Sequence, residues 1–136
     1  AESNETIVFE VQRSDDEWRK LLSENQYQFL RNSMTEKPYV SHLNDEWRKG
    51  TYQCAGCELP VYSSHTKFES HTGWPSFYEA IKDATLTNDV SRGFGFNMEE
   101  ICRRCGSHLG HIFDDGPEPT GLRHCINGLS LKFQPA

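Results

Sequence analysis

The 136-residue sequence has no long apolar run. Its unbroken apolar stretches are a few residues long, as in Leu59 to Tyr62. A bilayer-spanning helix needs about 20 such residues, so no helical membrane span is expected. Positive charge is also scarce. Lys and Arg total 14 against 20 Asp and Glu, a net charge of -6. The only adjacent arginines are Arg103-Arg104. Nucleic acid and anionic membrane surfaces want a basic patch, so neither is expected as a partner. Repeats and low-complexity linkers are missing, and no signal-peptide pattern remains at the start. Apolar residues are scarce too, at 35%, with a mean hydropathy of -0.73. A core this lean gains from a staple such as a bound metal.

Five cysteines stand out against that background. Four form two Cys-x-x-Cys pairs, Cys54/Cys57 and Cys102/Cys105. Each spacing lets a tight turn present two thiolates to one ion, and four sulfurs in tetrahedral array suit Zn²⁺. Such a site is closed, so its expected role is structural. Residues 58–101 separate the pairs, so one Zn²⁺ would clip distant parts of the chain together. Two redox-active dithiols are the alternative, but neither pair opens a helix after a strand. This cysteine usage fits a reducing compartment, the cytoplasm first, with an organelle or the periplasm as the alternative. The fifth cysteine, Cys125, has no partner.

The length suits a single domain over residues 1–136, with 1–6 polar and expected to be flexible. Ile7 to Val11 is a short β-like run. Ser14 with Glu17, and Ser23 with Gln26, are capping-box pairs, each followed by helical apolar spacing. They predict two short helices, or one bent helix, ending near Asn32. From Gly50 the pattern turns to β: Thr51 to Gln53, Leu59 to Ser63, Gly93 to Met98 and Cys125 to Phe133. In the last, Gly128 marks a bulge or bend. Asp114 to Pro117 and Pro119 to Gly121 read as turns. Trp18 and Trp47 are assigned to packing. The fold class is mainly β, a small antiparallel β domain with short N-terminal helices.

Three further stretches are dense in reactive or aromatic side chains: Gly73-Trp74-Pro75-Ser76-Phe77, Ser107-His108-Leu109-Gly110-His111-Ile112-Phe113, and Arg123-His124-Cys125-Ile126-Asn127. With the four paired cysteines they resemble the methionine sulfoxide reductase B family. The resemblance runs from Thr35 to Phe133. It implies a zinc-stapled, two-sheet β-tent-like fold, with Cys54, Cys57, Cys102 and Cys105 as the metal ligands. It also implies an oxidoreductase that reduces the R epimer of methionine sulfoxide in oxidised proteins, through a cysteine sulfenic acid.

On that reading Cys125 is the nucleophile, its pKa lowered by Arg123 and a nearby histidine. His111 and His108 are candidates to supply the proton and orient the oxygen. At i, i+3 they share a face only if the segment turns. Asn127 lies two positions after Cys125, which on a strand faces the same side. Asp115 is placed to hold Arg123 or a histidine, or to make an ordinary Asp-Gly turn. Trp74 is the candidate wall for the S-methyl group, and Phe113 either completes that pocket or packs in the core.

Two departures from the family pattern stand out. Thr72 occupies the position before Gly-Trp-Pro-Ser-Phe where many members carry a resolving cysteine. Regeneration then calls for an external thiol: thioredoxin, glutaredoxin with glutathione, or glutathione. His124 stands where the family often has an aromatic residue. A side chain that reached the active site would alter pKa or substrate fit, whereas clean strand alternation would point it away from Cys125. A monomer is expected. The alternative to an enzyme is a non-catalytic zinc-stapled β module that binds a peptide or small ligand through the Trp74 pocket.

Overall fold

The computed structural model describes residues 9–35, 37–91 and 95–136. Two helices come first, α1 (Asp15–Leu21) and α2 (Glu24–Arg31). Both begin with the capping box read from the sequence. The side chains of Ser14 and Ser23 accept from the N3 amides, and Glu17 and Gln26 accept in return from the cap amides. Each box satisfies helix-end donors that would otherwise lack partners. Trp18 is buried between the guanidinium groups of Arg13 and Arg31, 5.0 and 4.6 Å from its ring. Arg31 donates onward to the Cys105 carbonyl at 2.9 Å and to Ser107 Oγ at 3.1 Å. The helix pair is thereby docked on the second cysteine knuckle.

Among the described residues nine strands follow: β1 (Gly50–Cys54), β2 (Pro60–Ser63), β3 (Lys67–Phe68), β4 (Ser76–Phe77), β5 (Thr85–Asp89), β6 (Met98–Cys102), β7 (His108–Phe113), β8 (Arg123–Ile126) and β9 (Leu131–Pro135). They form two antiparallel sheets, one ordered β2-β1-β9 and one ordered β3-β4-β8-β7-β6-β5. The mainly β, two-sheet architecture agrees with the expected fold class. Tyr52 and Tyr62 of the small sheet meet Phe77 of the large one. Tyr62 stacks on Phe77 at 4.5 Å, and Tyr52 meets it edge-on at 5.0 Å. Large buried rings with such contacts carry much of the sheet-to-sheet adhesion.

A second inter-sheet tie is polar. Glu100 of β6 is fully buried. It accepts from Tyr62 Oη at 2.6 Å, His124 Nδ1 at 2.9 Å and Thr85 Oγ1 at 2.7 Å. A carboxylate tolerates such burial only when its lone pairs are met by donors.

Several expectations change. Cys125 to Phe133 is not one strand. A 3₁₀ turn at Gly128–Ser130 cuts it, leaving β8 in the large sheet and β9 in the small one. Alternating apolar residues cannot register a change of sheet, because both halves bury a face. The strand placed at Gly93 to Met98 starts only at Met98 and runs to Cys102. Gly95 to Asn97 is irregular, and Gly93 lies outside the described residues. Phe9 to Val11 forms no strand, while Ile7, Val8 and the segment 1–6 lie outside the described residues. Trp47 is half exposed rather than packed inside, with Lys67 Nζ 3.5 Å from its ring centroid.

Candidate active site and cysteine cluster

The four paired cysteines converge. Their sulfurs all lie within 4.8 Å of one another, with Cys54 to Cys105 at 3.7 Å and Cys57 to Cys102 at 3.5 Å. A tetrahedron with bonds of about 2.3 Å has edges of about 3.8 Å, so four thiolates here fit one metal ion. Disulfides would need about 2.05 Å. The knuckles follow β1 and β6, one strand from each sheet, so an ion held there joins the sheets. Gly106, at φ +76°, makes the tight turn after Cys105.

On the other side of the large sheet's centre, β8 alternates cleanly. His124 and Ile126 are buried toward the core, while Arg123 and Cys125 face outward. His124, the departure beside Cys125, therefore bonds Glu100 and stays out of the site. Cys125 is flanked across the ladder by Ser76 of β4 and His111 of β7. Directly opposed residues in antiparallel strands bring their side chains within contact.

The i, i+3 histidines share a face through a β-bulge. Between Glu100/Gly110 and Ile101/His108 the ladder advances one residue on β6 and two on β7. Alternation breaks there, and the His108 and His111 rings come to 5.3 Å. His108 Nδ1 bonds Glu99 Oε2 at 2.8 Å. Asn127 lies just past β8, as the residue preceding the 3₁₀ turn rather than a strand position. Its backbone N–H donates to the Leu109 carbonyl at 3.0 Å and its Nδ2 to the Met34 carbonyl at 3.1 Å. It thus pins the segment after α2 against the site.

These side chains line a cavity of about 240 Å³. Cys125, His111, Asn127, Arg123, Trp74 and Phe113 form its wall, together with Thr35, Thr72 and Gly110. His108 lies behind His111 and does not line it. Asp115 also stands back, accepting from Arg123 Nε at 2.9 Å and Nη2 at 3.2 Å. Arg123 in turn covers the Phe113 ring at 4.6 Å. Of the two options for Asp115, the structure takes the one that holds Arg123.

The electrostatics correct one expectation. Burial pushes the Cys125 thiol above its ordinary value, and the opposing pull of Arg123 and of a Thr72 hydrogen bond does not overcome it. The resting thiol is therefore not lowered. His111 is pushed the other way for a cation: burial and the neighbouring His108 lower its pKa, with Glu99 opposing. Asp115 is held low by its bonds to Arg123.

Sequence reasoning overlooked Glu99 and Glu100. In Met98-Glu99-Glu100-Ile101 no local signal separates a partnered buried glutamate from an exposed one. Thr35 and Gly110 also escaped notice as pocket residues, because a threonine and a glycine carry no chemical signature at that position.

Comparison with known proteins agrees with this geometry. Residues 22–135 match the SelR domain. A protein of Leptospira interrogans named peptide methionine sulfoxide reductase MsrB is 49% identical over 93% of this chain and 97% of its own length. Proteins of the same name from Methanosarcina barkeri and Pseudomonas putida are 49% and 47% identical, over 91% and 92% of this chain and 88% and 95% of theirs. Among solved structures, the Mis18 "Yippee-like" domain superposes with a TM-score of 0.50 at 16% identity, covering 65% of this chain and 98% of its own. That likeness concerns the fold alone. With the family model spanning most of the sequence and relatives near half identical, the chain belongs to the SelR-domain, MsrB family.

Proposed function

We propose that this chain is a peptide methionine sulfoxide reductase that acts on the R epimer in oxidised proteins. The observation that carries the reading is the pairing of Cys125 with His111 across β7 and β8, on the wall of a pocket closed by Trp74. Cys125 Sγ attacks the sulfoxide sulfur. A proton delivered to the oxygen, with His111 the nearest imidazole, lets the S–O bond of the substrate break. The oxygen, protonated twice, departs as water and leaves Cys125 Sγ bonded to the methionine sulfur as a sulfonium. Water then attacks Cys125 Sγ, the S–S bond breaks, and methionine leaves with that electron pair. Cys125 is left as sulfenic acid, with one proton released. Trp74 and Phe113 shape the space for the S-methyl group. Arg123, fixed by Asp115, faces the developing charge at Cys125, and His108 with Glu99 sets the His111 ring from behind. Asn127 orients the oxygen. These roles fit the family better than a non-catalytic binding module, which has no use for Cys125 beside a histidine.

The cysteine cluster suits Zn²⁺ in a structural role, held by Cys54, Cys57, Cys102 and Cys105. All other cysteines being committed there, Cys125 has no internal thiol to resolve its sulfenic acid. An external thiol condenses with it, releasing water, and a second thiol frees Cys125 as the thiol. Thioredoxin, or glutaredoxin with glutathione, supplies this chemistry, and the reducing cytoplasm is the compartment we favour. Among the described residues no helix is long and apolar enough to cross a membrane. One hydrophobic cluster includes residues of both sheets and both helices, which supports reading the chain as a single domain.

The test is turnover with dithiothreitol on separate R and S epimers of a methionine sulfoxide peptide. Reduction of R alone, abolished in Cys125→Ser, is expected. Activity that survives Cys125→Ser overturns the mechanism.

A further inference from the structure

Thr72 was noted for the cysteine it replaces, yet the structure gives its hydroxyl a definite place. It lines the same cavity as Cys125, near enough to that sulfur for hydrogen bonding to pull the thiol's pKa down against burial. Behind it runs a chain of hydroxyls. Ser70 Oγ lies 2.8 Å from Thr72 Oγ1 and 2.8 Å from Ser76 Oγ, and Ser76 Oγ donates to the Trp74 carbonyl at 3.2 Å. Ser76 is buried and sits opposite Cys125 in the ladder. The chain therefore starts and ends beside the same residue.

Proton counting fixes its direction. Each hydroxyl has one proton. The Trp74 carbonyl has none, so Ser76 spends its proton there. The Ser70–Ser76 bond must then use the proton of Ser70, and the Ser70–Thr72 bond that of Thr72. Thr72 Oγ1 is left able only to accept, from the Cys125 S–H. This polarity suits the neutral thiol. When the thiol proton leaves to solvent, the sulfur can only accept. The three hydroxyls then rotate: Thr72 donates to sulfur, Ser70 to Thr72, and Ser76 to Ser70. Only the bond to the Trp74 carbonyl, longer than the two hydroxyl–hydroxyl contacts, is given up.

We propose that Thr72 is a catalytic residue of this chain, whose hydroxyl reverses direction with Ser70 and Ser76 to donate to the Cys125 thiolate. Ser70 and Ser76 are positioning residues. The proposal rests on Cys125 being the nucleophile. Other groups around the sulfur are the Arg123–Asp115 pair on its own side of β8 and His111 with His108 and Glu99 on β7. On β4 the facing residue is uncharged Ser76. None of the charged or titratable groups among these is replaced in the Thr72 and Ser70 variants.

The test is the pH dependence of Cys125 alkylation by iodoacetamide in the full, metal-loaded chain, read by mass. Thr72→Val keeps the shape and removes the hydroxyl. Losing a charge-assisted bond to the thiolate should move the midpoint upward and slow alkylation at neutral pH about tenfold. Thr72→Ser should restore the parent midpoint, and Ser70→Ala should shift it in the same direction by less. An unmoved midpoint in Thr72→Val overturns the proposal, as does a Thr72→Ser variant as impaired as Thr72→Val. Where Thr72→Val fails to hold its metal, an unmoved midpoint in Ser70→Ala overturns it instead. Alkylation does not depend on turnover. The hydroxyl chain thus fails on the midpoint, and the reductase reading fails on activity surviving Cys125→Ser.

Discussion

Replacing Glu100 by alanine removes the one polar tie between the two sheets' interiors described above. Its carboxylate takes bonds from Tyr62, His124 and Thr85. Thr85 is partly exposed and can turn to water. Tyr62 and His124 are buried and cannot. Each orphaned buried donor costs about 1–3 kcal/mol, and the vacated volume adds to that. A loss of about 4 kcal/mol follows, a large share of the roughly 5–15 kcal/mol that holds a domain of this size. With a urea slope of about 2 kcal/mol per molar, the unfolding midpoint should fall by about 2 M. Glu100→Gln is the control. Its Oε1 still accepts from Tyr62 and His124, and the Thr85 hydroxyl rotates to accept from the new amide. Less than about 1.5 kcal/mol should be lost. The assay is urea unfolding of the metal-loaded chain, followed by tryptophan fluorescence. Equal midpoints for the two variants, or an alanine variant within about 1 kcal/mol of the parent, would refute the reasoning. Because His124 adjoins Cys125, the alanine variant should also slow turnover by loosening β8.

Two further outcomes are expected. On the proposed mechanism attack requires Cys125 as thiolate and His111 as imidazolium, and burial opposes both charges. The pH profile of kcat/KM should therefore be a broad plateau, its acid limb below 6.5 from His111 and its alkaline limb above 9.0 from Cys125; a limb between pH 7 and 8.5 would contradict the burial argument. Cys102→Ser should lose both metal and fold, since binding of a structural zinc is worth about 10–16 kcal/mol and exceeds the stability of most domains; metal analysis and circular dichroism would refute this by finding one ion and a native spectrum.

The features legible in the sequence are those whose physics is local. A serine followed three residues later by Glu17 or Gln26 carries its own hydrogen-bond partner, so both helix starts were readable. Paired cysteines announce a knuckle because two thiolates must come from one turn. The alternation that turns His124 inward and Cys125 outward is a property of four consecutive residues. Even so, the pattern from Cys125 to Phe133 concealed a change of sheet, since burial alternates in the same way on either side of the turn.

What only the tertiary structure decided depends on partners far away in the chain. The bulge opposite Glu100 and Ile101 brought His108 and His111 to one face, and a bulge is set by pairing rather than by composition. The burial of Glu100 came from Tyr62 and His124, on strands it does not follow. The raised pKa of Cys125 is a sum of desolvation and neighbours that no spacing encodes. Thr72 gained its meaning only when Ser70 and Ser76 closed a chain of protons onto the strand beside Cys125. Sequence by itself determined which chemical groups this protein has and which short turns they make. Their protonation and mutual aim were left to the fold, because both depend on distance and exclusion of water.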